Sequence, residues 1–261
     1  MSKELFRKNL LSYFSEFKKA IATDKDEWTV KGFIDVYKNI YTISLDTKVV
    51  SKIIELLLFP IIAEFASKHD YDIILAQHQN HYPDITFINE NNEKIAVDIK
   101  TTYVKTDTMV NKFTLGTFTG YFRDRNNSKN ITYPYNDYSA HYVLGIIYHR
   151  NEEIIDENKK YSLDELENIV SVIKNFDFIL QEKWKIASDK PGSGNTKNIG
   201  SITNIEDLKN GDGTFSKLGE EVFNDYWSNF LTSDMARAID SPIPYKNVNE
   251  YLNWEKRIIK S

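Results

Sequence analysis

Cysteine is absent from the 261-residue chain. That excludes a disulfide framework and a zinc–thiolate centre, and it makes a reducing cytoplasm the natural compartment. Internal repeats and long low-complexity stretches are also missing. The longest apolar run, IIELLLFPII at 53–62, is broken by Glu55 and Pro60 and is too short to span a bilayer. The opening MSKELFRKNLLSYFSEFKKAI carries charge throughout and reads as an amphipathic helix, not a secretory signal. Positive charge is in deficit: 33 Lys and Arg stand against 38 Asp and Glu, a net charge of −5. Non-specific nucleic-acid binders are mostly basic, so this argues mildly against that class, and composition alone favours an ordinary soluble enzyme. A site built of carboxylates escapes the argument, because it carries part of the negative charge itself and bound divalent cations offset it.

The chain is 41% apolar and 13% aromatic, enough for a sizeable core, and 27% charged, close to the average for soluble proteins. Residues 4–22 predict a helix with Leu5, Leu10, Leu11, Phe14, Phe17 and Ile21 as its apolar stripe. Residues 28–45 mix short apolar runs with aromatics and can hold strands. Asp46 offers an N-cap to TKVVSKIIELL, and Pro60 is expected to kink that helix or to begin the next. From Tyr71 the texture changes. Strands are expected at 73–75, 85–88, 94–103 and 140–149, a helical segment at 156–175, and short strands at 176–180 and 184–187. A Gly/Ser/Asn/Lys loop follows at 188–201, then helices around 217–231 and 247–259. Helices interleaved with strands imply an α/β (α+β) fold in one domain, with a central mixed sheet flanked by helices.

The segment HYPDITFINENNEKIAVDIKTTY, 81–103, is the most informative. In its second strand Ile95, Val97 and Ile99 line one face, while Asp98 and Lys100 stand on the other. The turn lies within ENNE. A hairpin symmetric about Asn91 pairs residues whose numbers sum to about 182, the midpoint doubled, which sets Asp84 opposite Asp98 with Cβ atoms about 4.5–5.5 Å apart. Two aspartates so placed repel each other unless a positive charge lies between them, either Lys100 or a divalent cation. Oxygen ligands without cysteine favour Mg²⁺ or Mn²⁺ over zinc. Two carboxylates can hold a metal on a scissile phosphate, and the lysine can orient water or stabilise charge on phosphoryl oxygens. The plain alternative is a surface ion pair between Asp98 and Lys100 on a half-exposed strand.

Pro-Asp followed by Asp-x-Lys resembles the signature of the PD-(D/E)xK nuclease superfamily. The blocks around it are more specific. SLDTKVVSKIIELLLFPII, QNHYPDITF, KIAVDIKTTY, KFTLGTFTGYFR, SKNITYPYNDYSAH and GSGNTKNIGSI occur in this order and are similar to those of EcoRV-like Type II restriction endonucleases. The similarity runs from about Ser44 to Ile202, with weaker echoes in DYWSNF and NEYLNW. The first 40 residues match poorly.

The resemblance implies a homodimer that clasps double-stranded DNA, cuts the palindrome GATATC bluntly with Mg²⁺ (Mn²⁺ substituting), and is paired in the cell with a methyltransferase of the same specificity. A two-fold dimer suits a palindrome because each subunit reads one half-site. It implies dimerisation elements in 1–45, a catalytic core in 46–150, and a DNA-binding part in 151–261 with its reading loop at 190–201. Asp84 and Asp98 match the metal-binding aspartates, Lys100 the catalytic lysine, and the Ile99 carbonyl a further metal ligand. Glu55 matches an additional acidic residue, though Lys48, Lys52 and Glu55 also fit a solvent-facing helix side. Gly192, Ser193, Gly194, Asn195, Thr196, Lys197 and Asn198 match the loop that reads the major groove, where glycines allow close approach and Asn195 suits an adenine edge. Gln79, Asn80 and His81 match a minor-groove segment, and Thr102, Thr114, Thr119 and Lys129 match positions near the DNA backbone or central base pairs. Departures are Gly120 in place of a hydroxyl residue, His78 in place of glutamine, a hairpin loop shorter by two residues, and Arg123-Asp124-Arg125, which restores the length. Arg237 is the expected phosphate partner near the C-terminus. The competing functions are a DNA-binding module of the same fold without cleavage and a repair-type nuclease of other specificity.

Overall fold

The computed structural model describes residues 3–78, 80–151, 159–192 and 196–258. The expected first helix divides into α1 (Lys3–Leu11) and α2 (Phe14–Ile21), with a turn at Ser12 and Tyr13. Leu10, Phe17 and Ile21 face the core as expected. Leu5 points to solvent, and Phe6 takes the buried place instead. A hairpin follows, β1 (Gly32–Ile34) and β2 (Ile40–Thr42).

Helix α3 (Thr47–Lys68) begins where the Asp46 carboxylate accepts the backbone N–H groups of Lys48 and Val49 at 2.8 and 3.2 Å. It runs through Pro60 without ending. Proline removes the N–H that would bond the Leu56 carbonyl, but Leu56 is 63% exposed, so solvent can take up that carbonyl. Val50, Ile54, Leu58 and Ile62 recur every fourth residue along its buried side.

The central strands are β3 (Asp72–Leu75), β4 (Ile85–Ile88) and β5 (Lys94–Thr106), followed by the short β6 (Met109–Val110) and by β7 (Thr114–Thr117). Then come β8 (Tyr138–Arg150), β9 (Lys160–Tyr161) and β10 (Ile173–Glu182). The helix expected over 156–175 is not formed among its described residues. Leu163–Asn168 makes a short 3-10 helix closed by a Ser162/Glu165 capping box, and the β-branched run after it enters β10. Where a strand was expected at 184–187 there is one helical turn, α4 (Lys183–Ile186). The expected loop at 188–201 carries two strands, β11 (Ala187–Pro191) and β12 (Asn198–Ser201). The chain closes with α5 (Ile205–Asn210), α6 (Glu220–Asn229), α7 (Ser233–Ala238) and α8 (Val248–Ile258).

The central sheet has the order β10-β8-β5-β4-β3, with β6 paired to the far end of β5. It is mixed: β5 and β8 run parallel, and the other neighbours are antiparallel. Alternation divides its side chains between two cores. Ile95, Val97 and Ile99 pack under α1, α2 and α3 with Phe6, Phe17, Ile54 and Phe65. Ala96, Val143, Ile147 and Ile179 face the opposite way, into a core shared with Phe113, Leu115, Ile199, Phe223 and Trp227. That second core carries the small sheet β11-β12-β7 and the C-terminal helices. A third sheet, β1-β2-β9, stands apart from both. No helix among the described residues is long and apolar enough to cross a membrane.

Candidate active site

The hairpin of β4 and β5 has the expected register, with Ile85 opposite Val97, Thr86 opposite Ala96 and Phe87 opposite Ile95. Asp84, one step before β4, therefore comes to the level of Asp98. The Tyr82–Pro83 peptide before it is cis. Asp98 and Lys100 share the face of β5 that holds Ala96, the face turned towards the second core.

The three side chains meet. Lys100 Nζ lies 2.8 Å from Asp98 Oδ2 and 3.3 Å from Asp84 Oδ2. The Ile99 N–H donates to Asp84 Oδ2 at 2.7 Å, and Lys100 Nζ donates to the Ile99 carbonyl at 3.2 Å. One ammonium thus serves two carboxylates and the carbonyl between them. Burial, and then the neighbouring negative charge of Asp98, push the Asp84 carboxyl up to about 7, against the pull of Lys100. Burial works to lower the Lys100 ammonium, but the two aspartates outweigh it and raise it, so the lysine stays charged at neutral pH.

An open cleft of about 890 Å³ lies over this cluster. Asp98 and Lys100 form one part of its wall, and the expected residues Asn80, Thr114, Thr119, Lys129 and Asn198 line other parts. The central sheet contributes Asp98 and Lys100 to the cleft, and the small sheet contributes another wall, where β12 pairs with β7 and sets Asn198 opposite Thr117 and Gly200 opposite Thr114. Strand β11 is fastened from behind: Tyr226 Oη donates to the Asp189 carbonyl at 2.8 Å, and the Val248 N–H to the Asp189 carboxylate at 3.1 Å. Gly120, at φ +57, also lines the cleft, and a Cβ there would meet nothing within 4 Å.

Other expected residues stand elsewhere. Glu55 is ion-paired with Lys52 at 2.7 Å on α3, and no group of three His, Cys, Asp or Glu suited to a metal occurs among the described residues. A hydrogen bond between the Ser51 and Thr101 hydroxyls, 2.5 Å apart, ties α3 to β5 one residue beyond Lys100. Thr102 is buried and its hydroxyl donates to the Asn111 carbonyl at 2.7 Å, so it braces the β5–β6 turn and does not face the cleft. His81 packs edge-on against His78, ring centres 4.7 Å apart. The Gly192 N–H closes on the Asn198 carbonyl at 2.9 Å, and the Lys197 carbonyl accepts the Phe118 N–H and the Thr117 hydroxyl, both at 2.9 Å. Thr196 precedes Lys197 in the chain, ahead of β12. Ser193, Gly194, Asn195 and Gln79 lie outside the described residues. Arg237 is 80% exposed on α7, 3.6 Å from Asp234.

The cleft is also lined by Asp124, noted in the sequence only for restoring length, and by residues that sequence reasoning did not single out: Tyr82, Gly116, Thr117, Tyr121, Asn127 and Asn130. The hydroxyls of KFTLGTFTGYFR at every second or third position were the available signal for Thr117.

The family model described as "Restriction endonuclease EcoRV" matches residues 24–256. "Type II restriction enzyme EcoRV" of Escherichia coli is 41% identical over 247 residues, covering 94% of this chain and 98% of that protein. The likeness thus extends well beyond the blocks between Ser44 and Ile202, into both ends of the chain. Among solved structures, the "NlaIV restriction endonuclease" is 12% identical, with a TM-score of 0.37 over 97% of this chain and 96% of its own. Family model and relative together settle the assignment: the chain belongs to the EcoRV restriction endonuclease family.

Proposed function

We propose that the protein is a Type II restriction endonuclease that hydrolyses both strands of duplex DNA at GATATC, leaving blunt ends, with Mg²⁺ as its cofactor and Mn²⁺ able to substitute. The observation that carries this reading is the meeting of Asp84, Asp98 and Lys100, the Lys100 Nζ within 3.3 Å of both carboxylates, beneath an open cleft of about 890 Å³.

The donor set fits a hard divalent cation. Two carboxylates and the Ile99 carbonyl converge, all oxygen, with one lysine to balance two negative charges, and the raised carboxyl of Asp84 reports the imbalance. Asp84, Asp98 and the Ile99 carbonyl would hold the ion, with Glu55 able to join only by leaving Lys52. When bound, the cation supplies Lewis-acid polarisation of the scissile phosphate. Lys100, charged and held at the same level, donates to a phosphoryl oxygen and stabilises the negative charge that grows on it. Thr114, Thr119, Lys129 and Asn80 bind the strand along the cleft and fix the phosphate against the carboxylates.

Reading of the site falls to the loop at the tip of the β11–β12 hairpin, from Gly192 through Ser193, Gly194, Asn195, Thr196 and Lys197 to Asn198, with Asn195 paired to an adenine edge. Gln79 and His81 contact the minor groove beside the cut. The partner is a second copy of the chain. Phe33, Ile34, Val36, Tyr37 and Tyr41 on and around the β1–β2 hairpin are 52, 58, 90, 83 and 46% exposed, an apolar surface that a two-fold contact would cover. This narrows the dimer elements within 1–45, since α1 and α2 are committed to the core. A methyltransferase of the same specificity protects the host.

Digestion of a plasmid bearing one GATATC site, with Mg²⁺ and with EDTA, tests the reading. A single blunt cut that requires metal and is lost in Asp84→Ala, Asp98→Ala and Lys100→Ala supports it. Metal-dependent cutting elsewhere removes the assigned specificity. Binding without cutting in Mg²⁺ or Mn²⁺ replaces it with a DNA-binding module.

A further inference from the structure

Behind the cleft floor lies a lysine without an anion. Lys183 is 2% exposed, and its Nζ has no hydrogen-bond partner. Most buried amines find a carboxylate or a carbonyl, because a desolvated charge is otherwise expensive. This ammonium is held by ring faces instead. Its Nζ stands 4.6 Å over the ring of Tyr82, 5.5 Å over that of Tyr135 and 5.6 Å over that of Phe122. A methionine would fill the same space without the desolvation penalty, so packing alone does not account for the charge.

The position of Lys183 in the chain and in space is informative. It opens α4, the single turn between β10 of the central sheet and β11 of the small sheet. On one side its Nζ reaches the underside of β7: a Cβ on Gly116, at φ +86, would lie 3.5 Å from it. Gly116 is on the strand that pairs with β12, the second arm of the reading loop. On the other side the ammonium sits on Tyr82, which stacks on Tyr121 with ring centres 5.4 Å apart and donates or accepts a 2.9 Å hydrogen bond with His141 Nδ1. Two residues after Tyr82 comes Asp84. One side chain therefore opens the turn that leads into the small sheet, ends close beneath Gly116 of that sheet, and rests on the ring two residues before a catalytic carboxylate.

We propose that Lys183 is a positioning residue that couples the β11–β12–β7 sheet to the Tyr82–Pro83–Asp84 step, so that correct engagement of the reading loop sets the carboxylates for cleavage. This rests on the endonuclease reading above. A charge held by quadrupoles, with no anion to anchor it, moves with the rings, and a shift of β7 reaches Tyr82 through it. Its proton is held loosely as well: burial lowers the ammonium to about 7, opposed by the charge of Asp98 and aided by Lys100 and Arg125.

The test compares wild type with Lys183→Met and Lys183→Gln in single-turnover cleavage, on a GATATC duplex and on a duplex with one base pair of the site changed. Thermal melting of each variant is recorded alongside. The expected result is a folded variant whose half-saturating concentration is nearly unchanged. Its rate at GATATC falls by about 10- to 100-fold, as a small misplacement of reacting groups would cause. The rate at the altered site changes little, so discrimination narrows by the same factor. Parallel loss at both duplexes, or no loss at either, would overturn the proposal and leave Lys183 a core residue. Failure of both variants to fold would overturn it too, since the ammonium would then be holding the core together. Wild type that cuts while both variants match it sinks this inference alone. Wild type that cuts nothing removes the endonuclease reading, and this one with it.

Discussion

Replacing Asp84 by Asn should make the metal-free protein more stable at pH 8, although it removes a residue assigned to catalysis. Asp84 shares one ammonium with Asp98, and its carboxyl is raised from 3.8 to about 7 by burial and by that neighbouring charge. A carboxyl whose pKa is higher in the folded than in the unfolded state binds more protons when folded between those two values. Stability therefore falls as pH rises through this window and is fully diminished above about 7. Each pKa step corresponds to about 1.36 kcal/mol, which caps the penalty at about 4 kcal/mol. The Asp84 side chain is 31% exposed, so solvent screening reduces the cap to about 1–2 kcal/mol. Asparagine keeps an oxygen for the Ile99 N–H, and Lys100 keeps Asp98 at 2.8 Å. For a chain of this length the gain is about 2–6 °C in Tm. Calorimetry in EDTA from pH 4 to 8.5 measures it: the two proteins should melt together near pH 4, separate as pH rises from 4 to about 7, and keep that gap above 7, the variant higher. Saturating Mg²⁺ should reverse the order, because only the wild type gains the stabilisation of a bound ligand, about 2.7 kcal/mol at a hundred times Kd. A variant less stable than wild type at pH 8 in EDTA would refute the electrostatic account of the pair.

Two further changes separate scaffold from site. Asp46→Ala removes the acceptor of the Lys48 and Val49 N–H groups at the start of α3 and should cost about 1 kcal/mol in denaturant melts, while cleavage at saturating metal stays unchanged. Val36→Asp combined with Tyr37→Ser places charge and polarity on the most exposed large apolar residues among the described residues. Sedimentation should then report a monomer whose melting changes little and whose double-strand cleavage is lost, and a variant that remains dimeric would move the interface elsewhere.

The parts of the fold legible in the sequence are those in which neighbours along the chain decide the outcome. The β4–β5 register followed from the turn and from the alternation of Ile95, Val97 and Ile99, and with it the meeting of Asp84 and Asp98. The Asp46 cap is equally local. The misreadings share a different cause. The 156–175 segment alternates charge with aliphatic residues like a helix, yet Ile173 is drawn into the sheet by its pairing with Arg150, a partner that periodicity does not reveal. The glycine-rich segment at 188–201 looks like bare loop, yet β12 forms against β7, more than seventy residues away by numbering, as in the pairing of Asn198 with Thr117, and β11 pairs with β12 in turn.

Lys183 is the sharpest instance. In the sequence it is one lysine in EKWK, flanked by another, with every mark of an exposed position. Its burial is decided by Tyr82, Phe122 and Tyr135, contributed by separate segments of the chain that only the closed fold brings to one point. The cleavage machinery and the means of controlling it therefore differ in how they are encoded. Carboxylates that must sit at fixed separation are set by a hairpin, where adjacent residues fix the distance, and so they leave a motif. A residue that must register movement between two sheets has to touch both, and long-range contacts of that kind leave no spacing for a motif to record.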